Sequence, residues 1–411
     1  MEEFGKLEER VVLVGVQTDD HDNVEESLDE LKELASTAGA VTVGRIIQNR
    51  ESVHPGTYIG KGKIEEVRAL VYAMDATGII CDDELSPAQL NNLERELDCK
   101  VMDRTLLILD IFAARAITSE GKIQVELAQL RYRSARLVGL RESLSRLGGG
   151  IGTRGPGEKK LETDRRLIRT RISALKQELS QVEKHRELIR SSRARGNMKT
   201  AAIVGYTNAG KSTLLNTLTG SEVLSEDKLF ATLDPTTRLL NLKDGQQILL
   251  TDTVGFIRKL PHHLIEAFKS TLEEAKYADI IIHVVDASNP QMDTQMYVVY
   301  DTLRQLGVEG KPVITLFNKQ DKLESPQMFR DLHADYTFAV SAKTGQGLDE
   351  LKGALLDIIR QDQIYVERLY DFSEAGKIQL IRKHGQLLEE EYVAEGIAVK
   401  AYVPKSIYGR I

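Results

Sequence analysis

The chain has 411 residues, 41% of them hydrophobic and 28% charged, a composition of an ordinary soluble globular protein long enough for two or three domains. No run of about 18 apolar residues occurs, and Met1 to Glu9 lacks the basic start and apolar stretch of a secretory signal, so a cytoplasmic protein without a membrane span is expected. Two cysteines, Cys81 and Cys99, are too few for a disulfide framework or a zinc site, and Cys81 reads as a reduced core thiol. The net charge of −7 speaks against a polyanionic partner, yet residues 131–195 hold 18 Lys and Arg against 7 Asp and Glu, a local excess of 11 positive charges. Long-range steering follows the local field, so this block marks a surface for a polyanion.

In chain order, Val11–Val16, Val41–Ile47, Gly78–Cys81 and Lys100–Met102 read as strands. Val24–Ala38, Lys63–Met74 and Pro87–Leu97 read as the helices between them, with Ser86-Pro87 as a helix start. Alternation of this kind predicts βαβ units and a parallel sheet, an N-terminal α/β domain over 1–112.

From about Arg115 the texture becomes long, charged and helical. Ile123, Leu130, Leu137 and Leu144 recur every seven residues, as do Leu161, Ile168, Leu175, Val182 and Ile189. Two such helices joined by one loop predict an antiparallel hairpin over 113–196, each helix burying the other's apolar seam. The connecting stretch 147–160 carries six glycines, Arg154, Lys159 and Lys160 and forms the exposed tip; these cations, with Arg165 and Arg166, are the candidate RNA contacts. Ser191–Asn197 reads as a linker to a second α/β unit, 198–360, and 361–411 as a small α+β tail in which Gly396–Val403 alternates like a strand.

The phosphate site is legible within the second unit. Gly205-Tyr206-Thr207-Asn208-Ala209-Gly210-Lys211-Ser212 matches G-x-x-x-x-G-K-[ST] between the strand Thr200–Val204 and the helical run Thr213–Thr219, the context in which backbone amides and a helix N-terminus cradle phosphate. Lys211 is assigned to the β- and γ-phosphates and the Ser212 hydroxyl to Mg²⁺. The strand Gln247–Thr251 delivers Asp252-Thr253-Val254-Gly255: the Asp252 carboxylate for a magnesium-bound water, the Gly255 amide for the γ-phosphate. Asn318-Lys319-Gln320-Asp321 follows the strand Pro312–Phe317, and the Asp321 carboxylate can accept both N–H groups of guanine, which adenine does not offer, so the substrate is GTP rather than ATP. Ser341-Ala342-Lys343, after Tyr336–Val340, supplies an amide for the guanine O6.

Between these boxes lies Phe230-Ala231-Thr232-Leu233-Asp234-Pro235-Thr236. Thr232 is assigned to Mg²⁺ and the γ-phosphate in a loop ordered by GTP, with Thr236 as competitor. Lys211, Thr232 and Gly255 form the expected catalytic set. After Asp-x-x-Gly many GTPases place a glutamine that orients the attacking water; here the residue is Phe256, which cannot hydrogen-bond water. Slow hydrolysis and a stimulating partner are expected, the alternative being that Phe256 only packs while another side chain orients water. His262 and His263, on the following helix, read as surface residues.

Asp103-Arg-Thr-Leu-Leu-Ile-Leu-Asp-Ile-Phe112, Gln124-Val-Glu-Leu-Ala128, Gly148–Glu158 and Phe230–Thr236 together resemble the bacterial HflX GTPase family, over about residues 10–360. The resemblance implies a translation-factor-class GTPase that binds the large ribosomal subunit, is stimulated by ribosomes and splits stalled or idle ribosomes under stress. It also implies that the hairpin tip, Gly148–Lys160, reaches ribosomal RNA. The remaining boxes carry over as ligands of GTP and GDP; a monomer is expected.

Three other readings stay open at this level. One is a factor for large-subunit assembly. Another is an ATP-driven RNA remodeller using Gly56-Thr-Tyr-Ile-Gly-Lys-Gly-Lys63, in which Ile64 stands where a hydroxyl should follow and Lys61 or Lys63 could meet phosphate or RNA. The third, a signalling GTPase whose hairpin docks a protein, is disfavoured by the unbalanced charge of the hairpin.

Overall fold

Val12, Val14, Ile79 and Cys81 lie within the core of a first parallel sheet, each at most 1% exposed. The computed structural model describes residues 8–18, 23–147, 156–195, 198–221, 228–260, 269–325 and 329–411. By its internal contacts the chain divides into two units: 1–183 with 227–234 and 258–269, and 184–226 with 235–257 and 270–411.

The first unit begins with β1 (Glu9–Gln17), α1 (Val24–Thr37), β2 (Ala40–Asn49), α2 (Lys61–Ala73), β3 (Gly78–Cys81), α3 (Pro87–Leu97) and β4 (Lys100–Asp103). The strands lie in the order β2-β1-β3-β4, all parallel, as alternating strands and helices require. Ser86 caps α3 through a reciprocal bond pattern with Gln89, and Pro87 occupies the first turn where its missing donor costs nothing. The helix α2 starts at Lys61, two residues before its expected start, because Gly60 closes the preceding turn.

A separate helix, α4 (Arg104–Arg115), was not anticipated between β4 and the hairpin. Its Leu107, Ile108, Leu109, Ile111 and Phe112 are buried while Asp110, Ala113 and Ala114 are exposed, so the helix has a solvent face, but one carboxylate and two alanines give that face little polar contrast in the sequence. Asp103 caps it by accepting from the Leu106 amide.

The hairpin follows as α5 (Ser119–Leu147) and α6 (Pro156–Arg195). The two helices are joined by the Arg171 guanidinium, which pairs with both oxygens of Glu126 at 2.7 and 2.8 Å. Leu175 is fully buried, but Ile123, Leu130 and Leu137 are only half-buried, whereas Val125, Leu127, Ala128 and Tyr132 are buried. The seven-residue seam is therefore not the principal apolar face of the lower half of α5, which packs on α3 and α4 as well. Ser191–Arg195, expected as linker, continues α6, since no helix breaker intervenes before Gly196. The tip, 148–155, with Arg154, lies outside the described residues, as do His262 and His263.

The second unit is built on β5 (Lys199–Gly205), α7 (Lys211–Thr219), β6 (Thr236–Asn241), β7 (Gln247–Asp252), α8 (Lys269–Tyr277), β8 (Ile280–Asp286), α9 (Met292–Gln305), β9 (Val313–Asn318), β10 (Tyr336–Ala339) and α10 (Leu348–Gln361). The sheet order is β10-β9-β8-β5-β7-β6, parallel except for the edge strand β6. Ile203, Leu214, Ile282, Leu316 and Leu351 are fully buried in its core, each burial contributing about 1.5–3 kcal/mol. The tail adds β11 (Gln363–Tyr370), α11 (Ala375–His384), β12 (Gln386–Val393), β13 (Gly396–Pro404) and α12 (Lys405–Tyr408). Its sheet is antiparallel in the order β11-β13-β12, with the expected strand 396–403 at its centre.

One buried group of the second unit makes stability depend on acidity. His283 on β8 is 1% exposed, its ring stands edge-on to Tyr300 at 5.0 Å, and burial pushes its pKa down to about 4, against the opposing pull of Asp331. The neutral form is the one that folds. Below the unfolded value of 6.5 the unfolded chain binds the extra proton, so this contribution is intact above pH 6.5 and is lost as pH falls through about 4. The loss amounts to about 3 kcal/mol. His283→Leu is expected to flatten the fall in thermal stability between pH 6.5 and 4.5; an acid limb as steep as that of the parent chain would refute the assignment.

Candidate functional site

The parallel strands of the second unit end together. Register pairs Ile203 with Asp252, Gly205 with Val284 and Asp286 with Asn318, so four loops leave the sheet at one edge, where ligands of open α/β sheets bind. Gly205, Tyr206, Thr207, Asn208, Ala209 and Gly210 form the loop between β5 and α7; Lys211, Ser212 and Thr213 open the helix. Gly210 has φ +98°, and a Cβ there would run into the Asn318 amide nitrogen, so only glycine fits.

Lys211 is 6% exposed, with Nζ donating to the carbonyls of Tyr206 at 2.9 Å and Gly205 at 3.3 Å. Burial pushes its pKa down to about 8, with Asp252 opposing and Lys319 adding to the shift. The Ser212 hydroxyl donates to Asp252 Oδ2 at 2.6 Å, and Asp252 is fully buried. A hydroxyl and a carboxylate side by side are hard oxygen donors of the kind Mg²⁺ takes.

The Asp252–Gly255 segment is stitched to the phosphate loop. The Phe256 amide donates to the Gly205 carbonyl at 3.1 Å and the Thr207 amide to the Phe256 carbonyl at 2.7 Å. Thr253 Oγ1 donates to the Ile203 carbonyl at 2.8 Å, and Val254 is buried. A Cβ at Gly255 would lie 2.6 Å from Thr207 Cα and 3.0 Å from Lys211 Nζ, so a bare backbone amide is what this position presents. Phe256 is itself 1% exposed, and its ring is a packing group.

The segments Asn318 to Asp321 and Ser341 to Lys343 meet the same loop. Asn318, 3% exposed, donates from Nδ2 to the Ala209 carbonyl and accepts at Oδ1 from the Ala342 amide, both at 2.8 Å. Lys319 stands at φ +64° with Nζ 2.7 Å from Asp286, a partner at the end of an apolar strand that sequence reading passed over. Ser341 Oγ donates to Asp321 Oδ1 at 2.7 Å, which orients that carboxylate, and Thr217 Oγ1 donates to the Ala342 carbonyl at 2.7 Å. Lys343 follows as an exposed residue of the same turn.

The segment 228–234 belongs to the first unit. Phe230, at φ +55° and 2% exposed, sets its ring edge-on to Phe112 at 4.6 Å. The Asp234 carboxylate accepts from the amides of Ile117 at 2.9 Å and Thr118 at 3.0 Å, and from the Thr118 hydroxyl, at the start of α5. These two residues, expected as nucleotide ligands, are here engaged within the first unit, Phe230 by packing on Phe112 and Asp234 because unpaired amides at a helix start attract a carboxylate. Ala231, Thr232 and Leu233 lie between them, Leu233 buried. Thr236, the competitor to Thr232, is instead the first residue of β6, opposite Asp252 in the ladder.

Sequence reading also missed a charged cluster in the first unit. Arg104, 1% exposed, pairs through Nη1 with Asp82 at 2.9 Å and through Nη2 with Glu30; Asp82 also accepts from Ser27 Oγ at 2.7 Å. Lys259, four positions past Gly255 and at φ +52°, places Nζ 2.6 Å from Asp82 and 2.7 Å from Asp83. The signal was the Asp82-Asp83 pair ending an apolar strand. Asp103 anchors the root of the hairpin: it accepts from Tyr132 Oη at 2.7 Å and Arg136 Nη2 at 2.6 Å, and the Arg136 guanidinium lies 3.1 Å from the Tyr132 ring centroid.

The glycine–lysine stretch 56–63 forms a turn closed at Gly60 followed by the first residues of α2. The amides of Gly56 and Thr57 donate to His54 Nδ1, that of Tyr58 to the His54 carbonyl, that of Ile59 to the Thr57 carbonyl and that of Gly60 to Gln48 Oε1. The amides from 56 to 59 are spent inside the turn and that of Gly60 on Gln48 of β2, and Lys63 pairs with Glu66 at 2.6 Å. Of the candidate RNA contacts, Arg165 is half-buried and Arg166 exposed on α6, and Lys159 and Lys160 fall within the helix backbone. Cys81 is buried and Cys99 half-buried, both free thiols. Among the described residues no helix is long and apolar enough to cross a membrane.

A strand, a glycine loop ending in Gly-Lys-Ser, an Asp-x-x-Gly segment tied to that loop and an Asn-Lys-x-Asp box at one sheet edge define a P-loop GTPase. Three family models match in sequence: a GTP-binding GTPase N-terminal region at residues 25–113, its middle region at 115–193, and a 50S ribosome-binding GTPase at 200–319. The GTPase HflX of Lacrimispora saccharolytica is 68% identical over 409 residues, covering 100% of this chain and 97% of that protein. The GTPase HflX of Escherichia coli K12 is 43% identical, covering 96% and 93%. A solved GTP-binding protein of the archaeon Sulfolobus solfataricus in complex with GDP is 25% identical with a TM-score of 0.45, covering 86% of this chain and 99% of that one. The chain belongs to the HflX family of GTPases.

Proposed function

We propose that the chain is a cytoplasmic, monomeric GTPase that binds the large ribosomal subunit and its RNA, splits stalled or idle ribosomes under stress and leaves on hydrolysis of GTP to GDP and phosphate. The observation that carries this is the union, in one chain, of a GTPase fold with a helical hairpin region bearing 11 excess positive charges over 131–195. The family model of the GTPase region, described as a 50S ribosome-binding GTPase, supports the same partner.

In this reading the chain works as four parts, 1–112, 113–196, 198–360 and 361–411. Amides of the 205–210 loop and Lys211 hold the phosphates. Ser212 and, in the GTP-bound state, Thr232 would hold Mg²⁺, and Asp252 would reach it through water. When bound, the ion would supply charge neutralisation for phosphoryl transfer. Gly255 donates its amide to the γ-phosphate, Asp321, oriented by Ser341, accepts from guanine, and Lys319 and the Ala342 amide complete the base pocket. With Phe256 packed away, no glutamine stands at that position to orient water, so hydrolysis awaits the ribosome. Arg154, Lys159, Lys160, Arg165 and Arg166 meet ribosomal RNA.

Sedimentation with purified large subunits tests this. Binding is expected to be saturable, stronger with a non-hydrolysable GTP analogue than with GDP, weaker with salt, and lost on replacing Arg154, Lys159 and Lys160 by alanine; GTP turnover is expected to rise on adding subunits. Equal binding in the apo, GDP and GTP states would sink the switch. Immature subunit precursors, rather than intact stalled ribosomes, in a strain lacking the protein would move its role to subunit assembly.

A further inference from the structure

We propose that the open face of the tail sheet is a docking surface for an arginine- and lysine-rich protein segment of the large ribosomal subunit, an inference that rests on the ribosome reading above. One side of β11-β13-β12 is covered: Val366, Tyr370, Val399, Ala401 and Val403 are buried with Ile378 and Ile381 of α11. Strand alternation turns the intervening residues to the other side. The register aligns them in rows across the sheet, Tyr365 beside Tyr402, then Glu367 beside Lys400 beside Glu389, then Leu369 beside Ala398 beside Glu391.

Tyr365 is 46% exposed and Leu369 50%, and Glu367, Glu389 and Glu391 are exposed. The central Lys400 is held by Glu389 at 2.7 Å and Arg360 lies on the Tyr402 ring, so three carboxylates share the face with two cations and leave it an excess of one negative charge. An aromatic and aliphatic surface framed by carboxylates attracts a cationic protein chain and repels phosphate. The surface already carries the contact an incoming arginine would make: the Arg360 guanidinium sits 4.8 Å from the centroid of the Tyr402 ring, whose neighbour Tyr365 lies 5.4 Å away, centroid to centroid. The polarity is opposite to that of the hairpin, so within one chain the basic element takes RNA and the acidic sheet takes protein.

The test uses the full chain, purified large subunits and a non-hydrolysable GTP analogue. A photo-crosslinking benzoylphenylalanine at Tyr365 or Leu369 is expected to mark a peptide of a ribosomal protein rich in Arg and Lys. Glu367→Lys with Glu391→Lys is expected to abolish that crosslink and weaken subunit binding about tenfold, with GTP turnover in the absence of subunits unchanged. Glu367→Gln with Glu391→Gln, which adds no charge, is expected to give a smaller loss in the same direction. Crosslinks to ribosomal RNA or to a second copy of the chain, or charge-reversed protein binding as tightly as the parent, would overturn the docking surface and leave the ribosome reading intact. Failure of the parent chain to bind subunits at all would overturn both.

Discussion

Asn318→Ala is expected to lower the affinity for GTP and GDP alike by about a hundredfold, and to do so without altering the Asp321 carboxylate proposed to read the base. The reason is the position of its side chain, 3% exposed, between two loops: Nδ2 holds the Ala209 carbonyl of the phosphate loop and Oδ1 holds the Ala342 amide of the base loop. Truncation orphans both buried backbone groups at about 1–3 kcal/mol each and releases the two loops from one another. Part of that cost falls on folding and part on binding, because a nucleotide must then order both loops itself. Asn318→Asp tests the geometry more finely, since it keeps the acceptor for Ala342 but turns a carboxylate oxygen on the Ala209 carbonyl. Titration with a fluorescent GDP analogue measures the effect, and Asn318→Ala binding within threefold of the parent would remove Asn318 from this role.

The largest expected loss of stability is that of Arg104→Ala. Its guanidinium, 1% exposed, lies between Asp82 and Glu30, and removing one partner of a buried ion pair costs about 3–5 kcal/mol because the remaining charge stays desolvated. Burial already raises the pKa of the Asp82 carboxyl, and Lys259 pulls it back down. Without Arg104 the site depends on Lys259 alone, so the destabilised unit should also release the 258–260 segment. Amide exchange localises the effect: protection across β3 and α4 should fall by about that free energy, with β8 and β9 unchanged. A change below about 1 kcal/mol, or one spread evenly over both units, would refute it.

How much of this was legible follows from the kind of interaction involved. Several strands of the parallel sheets were readable because a strand buried on both faces tends to be a continuous apolar run, as in Gly78–Cys81 and Ala201 to Val204. The phosphate loop was readable because Gly205 to Ser212 are contiguous in sequence and each has a local reason to be what it is. α4 was not, since its exposed face of Asp110, Ala113 and Ala114 carries a single charge and stands out little from the apolar Leu107 to Phe112. β6 was not, since Thr236–Asn241 is an edge strand with one buried leucine, Leu240, and little to set it apart from the loop before it.

The sequence by itself therefore determined the two α/β layers, the charged hairpin and the chemistry of the GTP site, because periodicity, turn residues and contiguous motifs act over a few residues. Tertiary structure alone decided which partner each polar group meets. Asp234 looks like part of a nucleotide loop and is spent on the start of α5; Asp103 caps its own helix and also anchors Tyr132 and Arg136 some 30 residues on; Lys259 finds Asp82 and Asp83. A carboxylate is satisfied equally well by an adjacent amide or a distant guanidinium, and only the packing of the intervening elements selects between them.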